Sequence, residues 1–156
     1  MFFALLFYAP RKITQRAQSS KAAEILGEFT VMNFVVITNN PLVYEKYKDE
    51  LNVDYADIPF RDVLCKVRDM VYAGHPLLTH PLSGSVKPHE TPYKSVLVGT
   101  KPGKMEQRDA SIIENSIITA DKFAEKFPNM PQHVREDFQL IDCTLITSGI
   151  DAVLRR

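Results

Sequence analysis

The sequence predicts an α/β fold: a small three-layer domain over residues 32–156, with a mostly parallel four-stranded sheet flanked by helices. Three observations predict it. Short apolar runs rich in β-branched residues alternate with longer segments of helical periodicity, and such alternation implies parallel pairing through crossovers. The first of these runs is apolar on successive residues, as in a strand buried on both faces. A chain of 156 residues has the length of one domain.

Each element follows from its residues. "NFVVIT" (33–38) is the first strand. In the turn that follows, Asn40 is a good N-cap and Pro41 fits the first helical position. "PLVYEKYKDELN" (41–52) is a helix with Leu42, Val43, Tyr47 and Leu51 at helical spacing. "VDYAD" (53–57) is a second strand, placed at an edge. "FRDVLCKVRDMVYAG" (60–74) is the clearest helix: Phe60, Val63, Leu64, Val67, Met70 and Val71 form one stripe, and Gly74 stops it. "PLLTH" (76–80) and "KSVLVGT" (94–100) are the third and fourth strands. Pro81, Gly84, Pro88 and Pro92 forbid a helix between these two, leaving a long Pro-rich loop. The two strands then either pair antiparallel or cross over through that loop alone. A long helix follows over 106–126, and Pro128 ends it. The last helix opens at Pro131, with Val134, Phe138, Ile141 and Leu145 as its apolar stripe. Gly149 leaves its far end undecided.

Bulk properties narrow the function. Lys+Arg 19 against Asp+Glu 19 gives no net charge, which argues against non-specific nucleic-acid binding. Cys65 and Cys143, without a CxxC, do not form a disulfide framework, so the expected compartment is a reducing cytoplasm. "MFFALLFYA" is too short to span a bilayer, and its basic residues follow it instead of preceding it. Residues 1–31 are read as an N-terminal extension. Two origins stay open for it: an upstream start that is not native, or a helical arm from about Gln15 to Phe29.

In open α/β sheets, ligands gather beyond the carboxyl ends of the strands. Two segments are expected there: Asn39-Asn40, and the loop 80–93. The expectation is one concave site for a small anion. His80, Ser83, Ser85 and Lys87 line it, with Asn39 and Asn40 on the opposite wall. Lys87 supplies charge, the serines orient the ligand, and His80 is the proton donor near neutral pH. The plainer reading is also open: serines and glycine in a loop are ordinary turn chemistry, and a histidine at a strand end is commonly structural. No metal spacing is present among His75, His80 and His89, and no metal site is expected. GxSxG, SxxK, P-loop and GxGxxG patterns are all missing, and no cofactor is implied.

Four stretches carry a resemblance: "VVITNNPLVYEKY", "DVLCKVRDMVYAGH", "LLTHPLSGSVKPHETPYKSVLV" and "EDFQLIDCTLI". Together they make the chain resemble the GrdX family over about residues 32–147. That family comprises small proteins encoded beside the glycine, sarcosine and betaine reductase components of anaerobic amino-acid-fermenting bacteria. The resemblance implies a pathway context but no reaction, and it brings no catalytic residues with it. Residues 1–31 depart from the family's usual start. Two functions follow as expectations. One is an accessory protein whose partners are reductase components, with neither a nucleic acid nor a membrane as partner. The other is a small-molecule enzyme or sensor that binds a small anion at the 80–93 loop.

Overall fold

A computed structural model describes residues 33–84, 86–88, 90–123, 127 and 129–155. The expectations for residues 1–31 lie outside these, as does the one for Ser85. The elements in chain order are β1 (Phe34–Thr38), α1 (Pro41–Tyr47), β2 (Val53–Tyr55), α2 (Phe60–Tyr72), β3 (Ser95–Gly99), α3 (Gln107–Ala120) and α4 (Gln132–Leu154).

The sheet has three strands in the order β2-β1-β3, so β2 is an edge and β1 is central. β1 pairs parallel with β2, placing Val36 beside Val53, and antiparallel with β3, placing Thr38 beside Ser95. This corrects the expectation of a mostly parallel four-stranded sheet. The cause lies in residues 76–80. They run antiparallel along β3, but only Leu77 forms a bridge, to Val98. Pro76 and Pro81 have no N–H to give a ladder. Next along, the Leu97 N–H is taken by the Thr79 hydroxyl at 2.9 Å instead of by a backbone carbonyl. The segment therefore stays a partial strand. After it the chain turns over and returns as β3, opposite in direction to β1.

Alternation along the strands builds two cores, because successive side chains point to opposite faces. Val35, Ile37, Val96 and Val98 face α2 and α3. Phe34, Val36 and Leu97 face α1 and α4. The three layers are thus helix, sheet, helix. The stripe predicted for α2 is the one buried, at Phe60, Val63, Leu64, Val67 and Val71. Its stop is also as predicted, with Gly74 at φ 95.

Three helix ends differ from expectation. α3 closes at Ala120 instead of running to 126, and residues 121–123 are already outside the helix. α1 closes at Tyr47, five residues early, because the chain turns there to drop Leu51 into the core. α4 continues through Gly149 to Leu154. Its buried stripe is Asp142, Cys143, Ile146 and Ile150, about one position round from the predicted one. Among the described residues no helix is long and apolar enough to cross a membrane.

Candidate functional site

The end of β1 and the start of β3 lie side by side, and the polar residues of both strand ends meet there. Asn39 works as a bracket. Its Nδ2 donates to the Ile58 and Pro92 carbonyls, both at 2.8 Å, and its Oδ1 accepts from the Lys94 N–H at 2.7 Å. Asn40 is the cap that the sequence predicts, its Oδ1 accepting from the Leu42 N–H at 3.0 Å. Its Nδ2 reaches across to α4, donating to the Gln139 carbonyl at 2.9 Å and to Asp142 Oδ2 at 3.0 Å.

A directed chain of hydrogen bonds runs beneath. The Asn40 N–H donates to Thr38 Oγ1 at 2.9 Å, and the Ser95 hydroxyl donates to Asp142 Oδ2 at 2.7 Å. A hydroxyl has one proton. Ser95 has given its own to the carboxylate, so the 2.7 Å bond between Thr38 and Ser95 is donated by Thr38. The other oxygen, Asp142 Oδ1, takes the Ser95 N–H at 3.0 Å. Both oxygens of this buried carboxylate are therefore engaged, as burial of a charge requires.

Lys94 sits beside that network and is only 6% exposed. It lines a cavity together with Phe60, Leu82, Val86, Phe138, Ile141 and Leu145, with Asp142 also on the lining. Its Nζ donates to the Ser83 carbonyl at 3.4 Å, a long bond. Among the described residues no carboxylate lies within ion-pair distance of it. Burial lowers its pKa from the ordinary 10.5, and the Asp142 charge only partly opposes this. The cavity holds about 20 Å³, room for about one water.

A family model described as GrdX-like protein matches residues 35–151. The chain belongs to the GrdX-like family. No curated protein and no solved structure matches it. The matched span of this GrdX-like domain runs from β1 into the last turns of α4, and so takes in Asn39, Asn40, Lys94 and Asp142.

The structure gathers some of the expected site residues and separates others. Asn39, Asn40 and Ser83 come to one end of the sheet, around Lys94 and Asp142. Ser83 meets Lys94 through its carbonyl. His80 is exposed and lines a different groove with Thr79, Arg108 and Asp109. Its Nδ1 accepts from the Leu82 N–H at 3.1 Å, which closes a local turn. Lys87 is exposed, and its carbonyl accepts from the Glu90 N–H at 3.1 Å. Sequence reasoning missed Lys94 and Asp142. A signal for each is present: an acid inside the apolar run "LIDCTLI", and a lysine directly before the buried strand "SVLVG".

Among the described residues no group of three or more His, Cys, Asp or Glu is placed to hold a metal ion. Both cysteines are thiols. Cys143 belongs to the core under α4, whereas Cys65 is half-buried and accepts from Arg61 Nη1 at 3.4 Å.

Proposed function

We propose that this GrdX-like chain is an accessory protein of the glycine, sarcosine and betaine reductase system and acts on one of its protein components. The observation that carries the reading is the family match over residues 35–151. It covers nearly all of the α/β unit, from the central strand to the helix that closes the second core. The context that the resemblance implies, a gene beside the reductase components, supplies the partner class.

Co-purification tests this. Affinity-tagged full-length chain, mixed with the purified reductase components, is expected to retain at least one of them in stoichiometric amount. A folded chain that retains none overturns the reading. The competing reading, a small-anion enzyme or sensor at the 80–93 loop, gains if the melting temperature rises with glycine or acetyl phosphate while nothing is captured. Selective binding to the native state raises stability by mass action.

A further inference from the structure

We propose that the open cleft beyond the carboxyl ends of β1 and β2 binds a small zwitterion, a molecule with one carboxylate, one ammonium and an apolar body. This stands apart from the reductase reading, since it rests on the cleft alone. β1 and β2 run parallel and end side by side, with Thr38 beside Tyr55. From there the chain leaves to opposite faces of the sheet. Val43 and Tyr47 of α1 pack with Phe34 and Val36, whereas Val63 and Val67 of α2 pack with Val35 and Ile37. Parallel strands whose connections part in this way open a crevice at their carboxyl ends, the position where α/β sheets bind ligands. Here the crevice has a volume of about 340 Å³, enough for a small molecule. Its walls are held in place. Asn39 Nδ2 donates to the Ile58 and Pro92 carbonyls, both at 2.8 Å, and all three residues line the cleft. His80, Ser83 and Lys87 are not on this lining.

Two opposite charges on the lining select the ligand. Asp57 comes from the turn after β2, and Arg135 from the first turn of α4. Among the described residues, neither forms an ion pair, with the other or with any third group. Asp57 is exposed, and no hydrogen bond holds its carboxylate. Arg135 is half-buried, and its guanidinium is fixed at one corner, where Nη2 donates to the Phe127 carbonyl at 3.1 Å. The remaining N–H groups of that planar fork match a carboxylate. A simple anion in the cleft would meet Asp57, and a simple cation would meet Arg135. A molecule that carries both charges has a partner for each. The rest of the surface suits an apolar body: Ile58, Pro59, Phe60, Pro92 and Tyr93 line it. Mainly apolar walls with a few polar groups that fix orientation are the usual make-up of a small-molecule site.

Titration of the full-length chain, followed by amide NMR near neutral pH, tests this. The probe is phenylalanine, beside two relatives that each lack one charge: hydrocinnamate has no ammonium, and phenethylamine has no carboxylate. Phenylalanine is expected to shift the amide signals of Ile58, Phe60 and Tyr93. Each relative is expected to bind about tenfold more weakly, the loss of one charge-assisted contact. Arg135→Gln is expected to remove the preference for phenylalanine over phenethylamine, and Asp57→Asn the preference over hydrocinnamate. Phenylalanine that leaves those three amides unmoved overturns the proposal. So does equal affinity for all three compounds, which would mean that the cleft takes up any apolar ring and reads no charge. That comparison is internal to the wild-type chain and holds even if a variant fails to fold.

Discussion

Lys94 links one residue's protonation to the stability of the whole domain. Its folded pKa is depressed, first by desolvation, so the unfolded chain binds more protons at any pH between that value and the ordinary 10.5. Stability conferred at this position therefore rises with pH through that window and is lost as pH falls through the folded value. Among the described residues, the other titratable groups on the lining of its cavity are Asp142 and Tyr93. Replacing Lys94 with Met keeps the apolar stem and removes the titration. The Lys94→Met chain is expected to melt above wild type at pH 7, and the gap is expected to close as pH approaches 10. A gap that stays constant across that range would show that Lys94 does not titrate differently in the fold. Asn40 shows why only part of this site was legible in the sequence. Its capping bond joins residues two apart, and local spacing reveals such bonds. The bond from the same side chain to Asp142 joins residues 102 apart. No local pattern encodes it, so both asparagines looked available to a ligand when their side chains are taken up by the fold.

At the scale of elements, α4 is fixed by what it lies against. Periodicity alone gave a stripe through Phe138, Ile141 and Leu145, residues that instead wall the Lys94 cavity. The face turned to the sheet runs through Cys143, Ile146 and Ile150. In a helix that is apolar on two sides, spacing finds the helix but does not choose its face. Gly149 sits where that helix passes close to Thr79 of the 76–80 segment. A Cβ built there would lie 2.9 Å from Thr79 Cγ2, closer than real Cβ atoms come. Thr79 is stiff, and its hydroxyl is held by the Leu97 N–H. Gly149→Ala therefore sets a helix-propensity gain of about 1 kcal/mol against an overpacking cost of about 2, for a net loss of about 1 kcal/mol. Denaturant titration checks this, and a more stable variant would mean that Thr79 yields without losing its bond. The strand pairing was misread for a related reason. Strand–helix alternation correctly implied the parallel β1–β2 pair. With no helix between 76–80 and β3, the direction of β3 depended on a prolyl turn that spacing does not resolve.

For the whole molecule, the three layers were legible because alternation along β1 dictates two cores whatever the topology beyond it. Both clusters draw on residues from Phe34 to Val153, with each face of the sheet covered by helices from that same span. A chain beginning at Met32 is therefore expected to fold, with helical and strand content by circular dichroism matching that of the described domain. Loss of most of that signal, or insolubility, would show that residues 1–31 contribute to the core. The long polar lock from Asn40 to Asp142 has a further consequence, during synthesis. β1 is made before α4, one of the two helices that face Phe34 and Val36. A nascent chain that has not yet reached Gln132 has one apolar face of its sheet only partly covered, by α1, and Thr38, Asn40 and Ser95 still await the carboxylate that joins them. This domain cannot close from its N-terminus onward as it emerges. Its second core is completed only after α4 has emerged, which makes the preceding interval the period when the chain most needs a chaperone.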